Sequence, residues 1–146
     1  MGLIEAVGAG PVGLDTAVFI YLVERHPEYV ARIRPLFRAA DAGDLELVTS
    51  ALTLLEVLVV PYRAGDIMLA EQYEAVLTRG RGLRVVDLDH AQLRVAAQLR
   101  ARHRLRTPDA LQLAAALACR CTAFVTNDRR LPTLPNLRVV QLDEVR

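Results

Sequence analysis

Four acidic residues, far apart in the sequence, lie at positions where their side chains could act together. Asp15 and Asp128 each follow directly on a predicted strand, and Glu56 and Asp109 fall in the early parts of two largely apolar predicted helices. Hard oxygen ligands without His or Cys partners suit Mg²⁺ or Mn²⁺ rather than Zn²⁺. If the four carboxylates converge, their mutual repulsion requires a compensating cation, and an ion of this kind could supply it.

Glu56 is the acid that a purely structural interpretation explains least well. It lies in an apolar stretch, residues 51–60, which Ser50 is predicted to cap as a helix and Pro61 to terminate. An ionised carboxylate on such a surface is costly unless a partner, a proton or a metal compensates it. An ion pair with an arginine is the structural alternative to a metal ligand.

Asp109 lies at the start of a predicted helix whose body is almost entirely apolar. Thr107 is a preferred N-cap, Pro108 fits the first helical position, and Asp109 lies in the first turn against the positive end of the helix dipole. Gln112 is the only polar side chain in the body of this helix, which predicts burial on most of its circumference. Taken alone, Asp109 could simply stabilise the helix by ~0.3–1 kcal/mol, and Asp15 could be a simple N-cap.

Short apolar strands alternate with helices along the chain. The predicted strands are residues 12–14, 45–49, 83–88, 122–126 and 137–142, and the predicted helices are 16–24, 27–42, 51–60, 67–77, 90–102 and 107–118. This alternation predicts βαβ units, and hence an α/β fold with a central parallel sheet and helices on both faces. We expect a single domain over residues 1–146, with residues 1–10 as a short extension, and ligands at the carboxyl edge of the sheet.

The composition excludes several classes of protein. With 53% hydrophobic residues, 24% charged residues and a formal net charge of +1, the chain is neither disordered nor a strongly basic nucleic-acid module. All 18 basic residues are Arg. The absence of Lys argues against phosphoacceptor domains of the receiver or haloacid-dehalogenase type, which bind phosphate with a lysine, and leaves Arg as the only cation available to contact phosphate.

Other sequence features have plain structural interpretations. Cys119 and Cys121 are too close and too few to frame a disulfide fold or a zinc site. The G-x-G-x-x-G match at residues 8–13 precedes a strand instead of following one, and Asp87 and Asp89 are explained by turn formation and capping. No apolar stretch is long enough to span a membrane and no signal peptide is evident, so we expect a cytoplasmic protein.

Four motifs in this order resemble those of the PIN-domain nucleases, and most closely those of the VapC toxins of toxin–antitoxin pairs. They are Asp15-Thr16 after the first strand, Thr-Leu-Leu-Glu-Val57, Thr-Pro-Asp-Ala-Leu111 and Val-Thr-Asn-Asp128. The resemblance implies a compact α/β/α sandwich that cleaves single-stranded or loop RNA with Mg²⁺ or Mn²⁺. Leu131, where many members have Phe, and Ala17, where Ser or Asn is common, depart from the pattern without removing an acid.

The resemblance also implies roles for individual residues. Asp15, Glu56, Asp109 and Asp128 match the family's metal-binding acids, with Asp15 and Asp109 as the principal ligands, and Thr126 matches a hydroxyl residue near the metal. Nearby arginines are expected to contact RNA phosphates, namely Arg104, Arg106 and Arg129. The expected partners are an RNA substrate, a VapB-like antitoxin encoded beside the toxin, and a second copy of the chain in a homodimer.

Two alternatives remain open at this point. A PIN-like nuclease could work in RNA processing without an antitoxin. A catalytically inactive PIN-like module could bind RNA or protein only, although the complete set of four acids argues against it.

Overall fold

A single parallel sheet forms the centre of the molecule. The computed structural model describes all residues, Met1–Arg146. Its strands are β1 (Val12–Leu14), β2 (Leu47–Ser50), β3 (Leu83–Val86), β4 (Ala123–Thr126) and β5 (Arg138–Gln141), in the spatial order β3-β2-β1-β4-β5. Every neighbouring pair is parallel. The predicted α/β/α sandwich with a central parallel sheet is confirmed.

Helices cover both faces of this sheet. They are α1 (Leu3–Val7), α2 (Thr16–Val23), α3 (Val30–Asp41), α4 (Leu52–Ala64), α5 (Ile67–Arg79), α6 (His90–His103) and α7 (Thr107–Ala118), with a short 3₁₀ turn at Leu142–Glu144. Successive strand residues point to opposite faces. In β4, for example, Val125 packs into the core that α1 to α5 cover, whereas Phe124 packs into the core formed with α6 and α7. None of the helices is both long and apolar enough to cross a membrane.

Close packing of α7 on the sheet explains the glycine in β1. A Cβ atom on Gly13 would lie 2.6 Å from the Phe124 ring and 3.1 Å from the Ala116 methyl group. Only a residue without a side chain therefore lets α7 approach the central strand this closely. This approach brings the start of α7, with Asp109, to the carboxyl edge of β1.

Several boundaries shift by one to three residues from the sequence-based expectation, and two differences, at α1 and α4, affect the core. The first ten residues, predicted to be an extension, contain helix α1, whose Leu3 and Val7 are buried in the main core. Helix α4 does not stop at Pro61 but continues to Ala64 and ends at Gly65, which has a left-handed conformation with φ of 68°. Pro61 is buried, and its packing compensates for the one hydrogen bond that proline cannot donate within the helix.

Candidate active site

The carboxyl ends of the two central strands fix Asp15 through both of its oxygens. Asp15 follows β1 and caps α2, since its Oδ1 accepts a hydrogen bond of 2.9 Å from the Thr16 backbone N–H. Thr126, the last residue of β4, donates its hydroxyl to Asp15 Oδ2 at 2.6 Å. Because β1 and β4 are adjacent parallel strands, these two residues meet at the same edge of the sheet. The predicted neighbours Asp15 and Thr126 are therefore in direct contact.

Glu56 is held beside this pair by a second hydroxyl. Thr16 Oγ1 donates a hydrogen bond of 2.6 Å to Glu56 Oε1, so the residue after Asp15 orients the acid from α4. None of the ion pairs in the molecule involves Glu56. The structural alternative, an arginine partner for Glu56, is thus not what the fold provides.

Asp109 and Asp128 form a second group, which arginines join together. Arg106 Nε lies 3.1 Å from Asp109 Oδ2, and its Nη2 lies 3.6 Å from Asp128 Oδ2. Arg130 binds Asp128 through both carboxylate oxygens, at 3.0 and 2.9 Å. The N-cap of α7 is Arg106, and Thr107, predicted to be the cap, is the first helical residue. Asp109 keeps its expected place in the first turn, with a side chain 12% exposed.

Electrostatics link the two groups of acids. Burial raises the pKa of Asp15 above its ordinary value, and the charges of Asp109 and Glu56 raise it further, against the lowering effect of the hydrogen bonds from Thr126 and Thr16. The pKa of Asp128 is lowered, chiefly by its hydrogen bond to Arg130. The hydrogen bonds to Asp15 thus do not fully offset the effect of burial and of the neighbouring acids on its negative charge.

The donor set suits a hard divalent cation, although it is not assembled around one point. All candidate ligands are carboxylate or hydroxyl oxygens, and the four acids outnumber the two guanidinium groups that contact them. No three acidic, His or Cys side chains stand close enough together to hold one ion simultaneously. Since Asp109 and Asp128 are bound to arginines, a cation seated on Asp15 would recruit them only by displacing Arg106 or Arg130.

A comparison with known protein families identifies the family of this chain. A model of the PIN domain matches residues 12–137, which span every strand but the last and all four acids. The chain belongs to the PIN-domain family. PIN domains are nucleases that generally depend on metal ions. No curated protein has a sequence that matches the chain significantly.

Solved structures share the PIN fold of this chain. VapBC2 from Rickettsia felis, bound to a DNA fragment from its promoter, matches with a TM-score of 0.70 and 18% identity over 90% of this chain and 98% of that chain. DNA-bound VapBC from Salmonella typhimurium matches at 0.62 and 24%, over 92% and 99%. VapBC-5 from Mycobacterium tuberculosis matches at 0.55 and 22%, over 92% and 99%. At these identities the likeness shows a common fold.

A buried glutamine, which the sequence did not single out as functional, organises the floor of this PIN domain's site. Gln112 is 3% exposed, and its Nε2 donates to the hydroxyls of Thr16 at 3.0 Å and Thr53 at 2.7 Å. Its Oε1 accepts from the Ser50 backbone N–H at 3.2 Å and from Thr49 at 3.3 Å. A polar residue inside an apolar helix must find such partners, and that signal in the sequence could have identified it.

The arginines near the acids differ in part from those expected. Arg106 contacts two of the acids, as described above. Arg129 instead pairs with Glu144 at 2.9 Å and Asp143 at 3.9 Å, and contacts none of the four acids. Its neighbour Arg130 takes that place, because Asp128 Oδ1 accepts the Arg130 backbone N–H at 2.9 Å and the turn brings this side chain back onto the acid.

The raised pKa of Asp15 leads to a prediction about the stability of a variant that lacks this charge. At a pH below the ordinary pKa of an aspartate, the Asp15 carboxyl is protonated in both the folded and the unfolded protein. As the pH rises through the raised pKa of the folded protein, the carboxyl ionises inside the fold and the free energy of unfolding falls. In EDTA at pH 7, Asp15→Asn should therefore raise the melting temperature by about 2–4 °C, because Asn caps a helix about as well as Asp. Differential scanning calorimetry measures the shift.

Two controls belong to that experiment. Asp66 is also a helix cap, at the start of α5, with Oδ1 accepting from the Leu69 N–H, and Asp66→Asn should leave the melting temperature unchanged. Asp128→Asn should not raise it, since arginines stabilise that charge. Millimolar Mg²⁺ should then stabilise the wild type more than Asp15→Asn by mass action. A lower melting temperature for Asp15→Asn in EDTA would contradict the proposed repulsion among the acids.

Proposed function

We propose that this PIN domain is an Mg²⁺- or Mn²⁺-dependent endoribonuclease that cleaves single-stranded or loop RNA in the cytoplasm, as the VapC-type toxin of a toxin–antitoxin pair. The observation that carries the proposal is Asp15, held by two hydrogen bonds at the carboxyl edge, with its pKa raised by burial and by two further acids. Such an undercompensated carboxylate in a nuclease fold is suited to a divalent cation.

Each residue has a defined task in this reaction. A divalent cation, when bound, supplies Lewis-acid activation of the attacking water and of the scissile phosphate. Asp15 and Asp109 are its principal holders, and Glu56 and Asp128 complete or orient the site. Thr126 fixes the direction of the Asp15 carboxylate by its 2.6 Å hydrogen bond. No side chain has to act as a nucleophile, and arginines beside the acids fix the RNA backbone without reading bases.

The proposed partners are a VapB-like antitoxin and a second copy of the chain. Of the solved structures of this fold described above, VapBC-5 is described as a member of the VapBC family of toxin–antitoxin systems, and the other two are also VapBC proteins. We assign the homodimer to the exposed apolar face of α4 and α5, where Leu55, Val60, Tyr62, Ile67 and Met68 are each more than half exposed. Sedimentation in solution tests this assembly.

The function is tested by cleavage of a labelled single-stranded RNA. Cleavage is expected with Mg²⁺ or Mn²⁺ and should vanish in excess EDTA; undiminished cleavage in EDTA would refute the metal dependence. An inactive binding module would instead bind the RNA without cutting it and give no heat when titrated with Mg²⁺. In cells, expression alone should arrest growth, and co-expression of the small protein encoded directly upstream should restore it. Cleavage without such rescue would indicate an RNA-processing nuclease.

A further inference from the structure

A small basic cavity lies directly beside the acids. Its volume is about 140 Å³, and its lining residues are His103, Arg104, Leu105, Arg106, Asp109 and Arg130. Three arginines and one aspartate line it, a formal balance of +2 with His103 counted as neutral. The cavity exceeds the ~10–15 Å³ that one water requires, so it has room for an anionic group. Arginine guanidinium groups form bidentate hydrogen bonds chiefly with carboxylate and phosphate groups.

The wall of the cavity that carries Arg104 is firmly anchored. Arg104 ends α6 in a left-handed conformation with φ of 55°, and its backbone N–H donates to the Arg100 carbonyl at 3.0 Å. Arg100 Nε in turn donates to the carbonyl of the buried Leu105 at 2.9 Å. The Arg104 guanidinium has no acidic partner within 4 Å. Its backbone is therefore fixed, and no acidic residue of the chain pairs with its charge.

The other two arginines of the cavity are shared with the acids. Arg106 reaches both Asp109 and Asp128, and Arg130 grips Asp128 with two hydrogen bonds. These side chains are 59% and 69% exposed, so they can rotate without disturbing the core. A cation bound by Asp109 and Asp128 would compete with the guanidinium groups for the same oxygens. Released from the acids, Arg106 and Arg130 remain at the wall of the cavity.

We propose that this cavity binds an RNA backbone phosphate next to the one that is cut. Arg104 is its permanent contact, and Arg106 and Arg130 move from the acids to this phosphate when the cation takes their place. The inference rests on the proposed function and adds to it a subsite and an order of events. Since the arginines leave the acids only when a cation is present, binding of cation and of RNA reinforce each other.

The subsite is tested by the salt dependence of RNA binding, with a matched pair of arginines. Arg104 and Arg120 are both exposed, both follow a helix and both have positive φ, but Arg120 lies beyond the far end of α7. In EDTA, Arg104→Gln should weaken binding of a labelled six-nucleotide RNA about three- to ten-fold, and lower the slope of log affinity against log salt by about 0.7. Arg120→Gln should leave both unchanged. Equal slopes for wild type and Arg104→Gln would overturn the subsite.

An RNA in which one backbone phosphate is replaced by an uncharged linkage shows which phosphate the cavity binds. Once the cleaved linkage of an oligonucleotide is mapped with Mg²⁺, a single methylphosphonate beside it should slow the wild type and have little further effect on Arg104→Gln. If the effect of Arg104→Gln depends only on whether the RNA carries a 5′-terminal phosphate, the assignment of the cavity to a backbone phosphate is wrong. If no RNA is cleaved but binding in EDTA still depends on Arg104, the nuclease proposal fails while the subsite stands. If cleavage occurs and Arg104→Gln behaves like Arg120→Gln, the subsite proposal fails while the nuclease proposal stands.

The proposed competition between Arg130 and a cation for Asp128 is tested separately, by the affinity for Mg²⁺. Titration calorimetry with Mg²⁺ alone should show tighter binding, by about three-fold, for Arg130→Gln, because one competitor for Asp128 is gone. Arg129→Gln removes the same charge from the adjacent position, where the side chain pairs with Glu144, and corrects for the general change in potential. Equal Mg²⁺ affinities for the two variants would show that Arg130 does not compete with the cation.

Discussion

Replacing Asp15 with Asn should lower the rate of metal-dependent RNA cleavage by about 10²- to 10³-fold, the loss that follows when a preoriented electrostatic group is removed from an active site. The Asn side chain can still cap α2 and can still meet the Thr126 hydroxyl, so the fold and the position of the side chain are retained. What is lost is the negative charge that holds the cation. Single-turnover cleavage of a labelled RNA at saturating Mg²⁺ measures the effect.

The control for this experiment is Asp66→Asn, the same change at another helix cap. Asp66 opens α5, its side chain is exposed, and its carboxylate accepts a hydrogen bond from the Leu69 N–H. This variant should cleave like the wild type. Retention of more than about a tenth of the activity by Asp15→Asn would show that the cation is held elsewhere. Because Asp15→Asn is also expected to melt higher in EDTA, instability cannot explain a loss of cleavage.

Removing the buried hydrogen-bond network should produce the second large effect. Gln112→Leu deletes the two donors that meet Thr16 and Thr53, so the Thr16 hydroxyl is no longer fixed toward Glu56. Groups that orient metal ligands typically contribute 10- to 100-fold to activity or metal affinity. We therefore expect Gln112→Leu and Thr16→Val each to reduce cleavage by about 10- to 100-fold, and to require more Mg²⁺ for half-maximal rate. Thr16→Ser, which keeps the hydroxyl, should retain most of the activity.

Gln92 offers a matched control for Gln112. It is also buried, at 5% exposure, and its Nε2 donates to the Ala114 carbonyl, but it contacts none of the acids. Gln92→Leu and Gln112→Leu should both lower stability, since each leaves a buried backbone group without its partner. Only Gln112→Leu should change the Mg²⁺ requirement. If both variants lost activity in proportion to stability, Gln112 would be a structural residue and not one that positions Glu56.

The sequence by itself determined the fold class and the region of the site. Strands of three to six mainly apolar residues alternating with helices allow few arrangements other than a parallel sheet covered on both faces. In such a sheet, residues that follow strands collect at one edge, so Asp15 and Asp128 could be assigned to a common edge from their positions alone. The apolar surroundings of Glu56 identified it as an acid that needs compensation, because an uncompensated buried charge is costly wherever it lies.

Only the tertiary structure decided which groups compensate the acids. Glu56 is met by the Thr16 hydroxyl, forty residues away, and Asp109 and Asp128 share Arg106. Periodicity and capping rules describe neighbours along the chain, whereas these partners depend on how helices from distant segments pack against one edge. The same applies to the turn after β4, where adjacent arginines point to different partners.

Burial also overrode local rules. Pro61 ends a helix by propensity, yet α4 continues past it because the buried ring packs against the core. Gln112 lowers the apolar character of α7, yet it is buried because four polar groups surround it, on β2, α2 and α4. In both cases the free energy gained from contacts between distant segments exceeds the local preference of one residue. Such contacts exist only once the chain has folded, and this is why the sequence located the acids but not the side chains that hold them.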